Sequence, residues 1–199
     1  MSNRLFVFEG LECVGKSSVI KGLAAQLEAL DHEVVVVKVP GGTDVGLMIR
    51  EIIVGENHLK MSHTANALLF CADWVHSLET VIIPALERGA IVLADRSNIS
   101  TYAYQYKAHH LDDILNIADS MCKPHRVFIL NADYKAYAER VAGRASNNAR
   151  DIIDEETFNS YQQRYIKYHS EHDNAHWVPT DVSLELVTET IATYILDSL

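Results

Sequence analysis

A chain of 199 residues, 48% of them hydrophobic, is long enough for one domain with a full core and at most a small lid. Its formal net charge of −10 excludes the broad basic surface that long nucleic acids require, but not a local basic cleft for a small phosphorylated ligand. Three cysteines (Cys13, Cys71 and Cys122) have neither C-x-x-C nor zinc spacing, which points to free thiols in a reducing compartment. No apolar run approaches the ~20 residues of a bilayer span, and the first four residues lead straight into a strand. A cytoplasmic protein without a signal peptide is therefore expected.

The run Leu5-Phe6-Val7-Phe8 predicts a first strand, and it delivers Glu9-Gly10-Leu11-Glu12-Cys13-Val14-Gly15-Lys16-Ser17-Ser18, a G-x-x-x-x-G-K-S phosphate loop. In such a loop the glycines let the backbone curl around phosphates, with its amides inward and a helix N-terminus behind them. Gly10 through Ser18 (Gly10, Leu11, Glu12, Cys13, Val14, Gly15, Lys16, Ser17 and Ser18) are thus the candidate ATP-binding residues. Lys16 would reach the β and γ phosphates, and the Ser17 hydroxyl would sit on Mg²⁺. The helix that follows carries Val19, Ile20, Leu23, Leu27 and Leu30 on one face and closes at Asp31-His32.

Three more runs are apolar on both faces: Val34-Val35-Val36-Val37, Ala90-Ile91-Val92-Leu93-Ala94 and Val127-Phe128-Ile129-Leu130. His176-Trp177-Val178 is a weaker fifth candidate. Such runs belong to parallel sheets covered by helices on each side. Their alternation with helical patterns predicts an α/β protein. The expected fold is the P-loop NTPase fold, a three-layer, doubly wound, parallel five-stranded sheet with helices on both faces and a short lid, all in one domain over 1–199.

Ligands in these sheets bind at the carboxyl ends of the strands. The second strand ends in Lys38-Val39-Pro40-Gly41-Gly42-Thr43. The third ends in Asp95-Arg96, which has the form of a Walker B carboxylate near Mg²⁺ followed by a permanent cation suited to a phosphate. Thr64 to Glu87 is helical by pattern, with Pro84 expected to kink or interrupt it. Phe70 and Trp74, spaced i, i+4, share a face. They are either a base-stacking surface or a packed aromatic pair, and aromatics are usual core material.

From Glu139 to Asp151, Arg140, Arg144 and Arg150 surround a Gly/Ser/Asn-rich centre, which reads as a lid or as a solvated surface loop. Apart from Lys16 the phosphate loop has no basic residue, so a closing lid is the natural source of further positive charge. Asp154-Glu155-Glu156 caps a helix running to about His172. Ser183 to Leu199 forms a last amphipathic helix over the sheet.

Together these motifs resemble the thymidylate kinase family. Its E-G-x-x-G-x-G-K-[ST] pattern stands as Glu9 to Ser17. Its [TR]-R-E-P-G-G-T stands as Lys38-Val39-Pro40-Gly41-Gly42-Thr43, with Arg50 at the family's spacing. L-L-F-x-A-D-R is Leu68 to Trp74, and I-x-P-A-L-x-x-G is Ile82 to Gly89. D-R-x-x-x-S-x-x-A-Y-Q is Asp95-Arg96 through Ser100, Ala103, Tyr104 and Gln105. The resemblance covers the chain nearly end to end.

What the resemblance implies is an ATP-dependent kinase converting dTMP to dTDP with Mg²⁺, usually a homodimer, with no polymer or membrane partner. Lys16, Arg96, Arg144 and Arg150 would be catalytic, and Ser17 and Asp95 would attend the metal. Glu12, Lys38, Pro40, Arg50, Phe70, Trp74, Arg96, Ser100, Thr101, Tyr104 and Gln105 would surround the acceptor. In that set Phe70 would stack on thymine, Arg96 and Arg50 would hold the acceptor phosphate, Glu12 would lie near the sugar and magnesium, and Tyr104 would pack under the deoxyribose. The chain resembles members with a lid arginine, which singles out Arg144 and Arg150. Three departures fall on the acceptor side: Trp74 where the family has an arginine that reads the base, Val39 where it has Glu, and Ser97 where it has a bulky aromatic or His. Two alternatives stand beside dTMP phosphorylation: a kinase for modified or more varied pyrimidine monophosphates, and a silent nucleotide sensor. Intact Lys16, Ser17, Asp95 and Arg96 speak against the sensor.

Overall fold

The computed structural model describes residues 4–55, 61–143 and 152–199. Five strands, β1 (Leu5–Glu9), β2 (Val34–Lys38), β3 (Ile91–Asp95), β4 (Arg126–Asn131) and β5 (Ala175–Pro179), form one parallel sheet in the order β2-β3-β1-β4-β5. The α/β architecture expected of the chain is the one observed. Alternating side chains of the central strands feed two cores. Leu5, Val7, Val92, Ala94, Val127 and Ile129 face one side, while Phe6, Phe8, Ile91, Leu93, Phe128 and Leu130 face the other. Central strands with both faces covered have no place for polar side chains until their ends, and the site lies at those ends.

On the first side lie α3 (His63–Ser77), α4 (Ile83–Glu87), α5 (Asn98–Tyr104) and α6 (Leu111–Asp119). On the second lie α1 (Lys16–Glu28), α7 (Tyr134–Ala142) and α9 (Leu184–Leu196). The helix α8 (Glu155–Glu171) contributes Tyr165 to one core and Phe158 to the other, and α2 (Asp44–Val54) packs on α3. Local chemistry sets the helix starts. Thr43, Ser62, Asp133, Asp154 and Ser183 each accept a hydrogen bond from a backbone N–H in the first turn.

The interruption expected at Pro84 is a π-helical turn, Leu78–Ile82, joining α3 to α4. Proline has no N–H for the preceding turn, and the backbone widens just before it, with the Ile83 N–H reaching the Leu78 carbonyl. By length and composition, His63–Glu87 is apolar enough to cross a membrane, which corrects the expectation of no such run. In the fold it is a core element. Ala67, Cys71, Trp74, Leu78, Ile82 and Ala85 recur every three or four residues along it and are all buried.

Candidate active site

The phosphate loop links β1 to α1, and two glycines make its shape possible. Gly10 has φ +125°, and a Cβ there would fall 2.1 Å from the Leu130 carbonyl oxygen. Gly15, with φ +97°, caps α1 in the left-handed region and accepts from the Ser18 and Val19 N–H groups. The Lys16 ammonium donates to the carbonyls of Gly10 (3.0 Å) and Leu11 (2.6 Å), so it lies folded over its own loop. Burial lowers its pKa to about 8, with repulsion from Arg96 adding to the effect and Glu12, Asp95 and Glu9 opposing it.

Asp95 closes β3, between Phe8 and Lys38 of the neighbouring strands. Its Oδ2 accepts from the Ser17 hydroxyl at 3.0 Å. A hydroxyl and a carboxylate so placed suit Mg²⁺, which prefers oxygen ligands, keeps several waters and shares substrate phosphates. Among the described residues no group of three or more His, Cys, Asp or Glu could hold a metal on its own. The donor set therefore fits an ion that is completed by nucleotide phosphates.

Arg96 follows with φ +76°, a left-handed backbone that turns its side chain back over the loop. Its Nη1 donates to the Gly10 carbonyl and to Ser100 Oγ, both at 3.0 Å, and its Nη2 donates to Glu12 Oε1. Burial opposes its charge, but Glu12, Tyr104, Tyr165 and Glu9 outweigh it and hold the pKa above the usual arginine value. The guanidinium also lies 5.5 Å from the Tyr104 ring centroid. Lys16 and Arg96 thus bond the same carbonyl oxygen. Two cations at that separation can hold two phosphate groups close enough for transfer between them.

The rest of the expected acceptor side is only partly assembled around this centre. The Val39–Pro40 bond is cis, and the Pro40 carbonyl accepts from Arg50 Nη1 at 3.1 Å, which brings α2 to the loop after β2. Lys38 is exposed at the end of its strand, Phe70 is half-buried on α3, and Ser100, Thr101 and Gln105 are buried. Trp74 is 1% exposed and belongs to the core beside the sheet. That is the packed-aromatic alternative of the two open for the Phe70–Trp74 pair, and an indole has no charge to solvate.

Three further residues lie in stretches the sequence singled out, but no motif assigned them these contacts. Glu9 is fully buried and accepts from Ser97, Ser100 and Tyr165. Burial raises its pKa, against the pull of Arg96, of the two serine hydroxyls and of Lys16. Asp73 is also fully buried, and its Oδ2 accepts from the Gly41 N–H at 3.3 Å. Arg140, in the last turn of α7, donates to the Thr180 hydroxyl (3.1 Å), the Thr180 carbonyl (2.6 Å) and the Cys13 carbonyl (3.5 Å). It thereby ties α7 to the phosphate loop and to the turn after β5. Of the lid expected over 139–151, residues 139–142 belong to α7. Arg144 and Arg150 lie outside the described residues.

A sequence model of the thymidylate kinase family matches residues 8–191. A thymidylate kinase from Halothermothrix orenii is 30% identical over 186 residues, covering 91% of this chain and 89% of its own. Another, from an Exiguobacterium species, is 30% identical over 207 aligned residues, covering 100% of this chain and 97% of its own. A third, from Clavibacter sepedonicus, reaches 46% identity over 112 residues, a stretch that spans 53% of that enzyme. The family match runs from the end of β1 into α9 and so takes in the phosphate loop, Asp95, Arg96 and the residues expected around the acceptor. The chain belongs to the thymidylate kinase family.

Proposed function

We propose that this protein transfers the γ-phosphoryl group of MgATP to dTMP, giving dTDP and ADP. The observation that carries the proposal is the shared Gly10 carbonyl, which brings a donor-phosphate cation, Lys16, beside an acceptor-phosphate cation, Arg96. The loop amides and Lys16 hold the donor phosphates. Arg96, with Arg50 behind it, holds the phosphate of the acceptor. Ser17 and Asp95 would hold magnesium, which would supply charge neutralisation to the donor phosphates. No general base is required, because the attacking oxygen already belongs to a phosphate anion. Glu12, which pairs with Arg96, would exchange that bond for contacts to the acceptor's sugar and the metal. Tyr104 forms the floor of the deoxyribose site, and Phe70 stacks on the base. Arg144 and Arg150 are the candidates for spanning the transferring group.

A second reading of the acceptor is favoured by Trp74. Because its side chain is in the core, position 74 contributes no hydrogen bond to the base, and the enzyme accepts a wider set of pyrimidine monophosphates than dTMP alone. A coupled ADP-release assay across dTMP, dUMP, 5-substituted deoxyuridylates and dCMP separates the readings. Strict dTMP use supports the first, comparable turnover across the panel supports the second, and no turnover with any monophosphate overturns both. The working assembly is a homodimer in the cytoplasm.

A further inference from the structure

Glu9 is a buried carboxylate to which the phosphoryl-transfer reading assigns no task. It closes β1 with its side chain fully buried. Its Oε1 accepts from the Ser97 N–H (2.9 Å), the Ser97 hydroxyl (2.9 Å) and the Ser100 N–H (3.2 Å). Its Oε2 accepts from the Ser100 hydroxyl (2.6 Å) and the Tyr165 hydroxyl (3.1 Å), and lies 4.0 Å from Arg96 Nη1. Burying a carboxylate is expensive unless it is paired and hydrogen-bonded, and here five donors from two helix regions converge on it.

The arrangement has a direction. A serine hydroxyl has one proton, and Ser100 commits it to Glu9, so that its oxygen accepts from Arg96 Nη1. An ionised carboxylate can only accept, so it sets the polarity of that hydroxyl. Ser97, one of the departures from the family pattern, also finds its purpose here. Its hydroxyl both bonds Glu9 and accepts the Ile99 N–H at the start of α5, which a bulky aromatic could not do. Tyr165 brings α8, the helix that follows the lid stretch in the chain, onto the same carboxylate.

We propose that Glu9 is a positioning residue for Arg96: through its charge and the oriented Ser100 hydroxyl it holds the guanidinium over the phosphate loop on the acceptor side, with Ser97 and Tyr165 holding Glu9. The proposal rests on Arg96 being the ligand of the acceptor phosphate. Glu9→Gln keeps the size of the side chain and removes the charge, while Tyr165→Phe removes one oxygen and keeps the ring. Steady-state kinetics with dTMP and ATP varied separately, with thermal melts as the fold control, test it. In Glu9→Gln, kcat/KM for dTMP should fall about tenfold or more while KM for ATP stays within about twofold, as expected for loss of a charged hydrogen-bond partner on one side of the site. Tyr165→Phe should move dTMP alone, in the same direction and by less. Adding Glu9→Gln to Arg96→Lys should cost little beyond Arg96→Lys alone, because both act through one guanidinium. Equal losses for dTMP and ATP, or additive losses in the double variant, overturn the proposal in favour of a structural buried ion pair. An unchanged KM for dTMP in Arg96→Lys overturns the Arg96 assignment and the proposal with it. An effect in Arg96→Lys and none in Glu9→Gln overturns the proposal alone. If Glu9→Gln does not fold, Tyr165→Phe decides by the same criteria.

Discussion

The pKa of Lys16 couples nucleotide binding to pH in a definite direction. In the nucleotide-free protein, burial and Arg96 lower it to about 8. Triphosphate oxygens favour the ammonium, so binding raises that pKa again. Below pH 8 the lysine is charged in both states and affinity for ATP is flat with respect to this group. Above pH 8 the free protein has lost the proton that the complex needs, so binding takes one up and affinity falls by up to about tenfold per pH unit. Calorimetry of ATP binding in buffers of different ionisation enthalpy should show no uptake attributable to Lys16 at pH 7 and nearly one proton at pH 9, with the difference abolished in Lys16→Met. Equal proton uptake at the two pH values would contradict a lysine poised near 8.

On helix α3 two neighbouring aromatics are expected to divide between stability and the proposed recognition of the base. Phe70 is half-buried and Trp74 is fully buried one turn later. Removing the indole leaves a core cavity, so Trp74→Ala should cost about 3–5 kcal/mol of stability. The ranking of dTMP against dUMP should stay as it is. Phe70→Ala should do the opposite, costing about 1–3 kcal/mol in monophosphate binding with a small shift in the melting midpoint. Denaturant titrations and the substrate panel distinguish the two patterns, and a changed substrate ranking in Trp74→Ala would return the indole to the site. The stretch after α7 is the second element with a kinetic signature. An arginine supplied to phosphoryl transfer is worth roughly 10³ to 10⁵ in rate. Arg144→Ala or Arg150→Ala should therefore reduce kcat sharply with little change in ATP affinity, and near-normal turnover in both variants and in the double variant would exclude a lid arginine.

These elements also mark how far the chain could be understood before its fold was known. The central strands were legible because runs such as Ile91 to Ala94 are apolar on both faces, as a covered parallel sheet requires; Val34 to Val37 reads the same way but forms the edge strand, where Val36 is exposed. That Lys16, Ser17, Asp95 and Arg96 meet at one place was legible because each sits in a local motif beside a strand end. The Glu9 cluster was not, because its donors come from 88 to 156 residues away and each is an ordinary serine or tyrosine in sequence. Helical spacing puts Trp74 on the Phe70 face, and only the family resemblance assigns it to the acceptor. Spacing does not say where that face passes from the cleft into the core. The π turn before Pro84 likewise needed the backbone, since a missing N–H predicts an interruption without its form.

At the scale of the whole molecule, one feature of the surface bears on assembly. Helix α3 packs against both α2 and α6. Along these three neighbours Val45, Leu47, Met48, Ile52, Leu68 and Ile117 are exposed, with Met48 at 70% and Leu47 at 56%. Apolar side chains scattered singly need no explanation, but several on helices that pack together make this face the candidate for contact with a second copy of the chain. Arg50 and Phe70 belong to the same helices, so if they serve the acceptor as proposed, a partner on this face would bear on that side of the site. Sedimentation velocity at tens of micromolar should give a species of twice the 22.3 kDa chain mass. Met48→Glu combined with Leu68→Glu, which sets charges into the patch, should yield the single chain and raise KM for dTMP more than KM for ATP. A wild-type protein that sediments as one chain excludes the dimer. A dimer unaffected by the double substitution places its interface on another face.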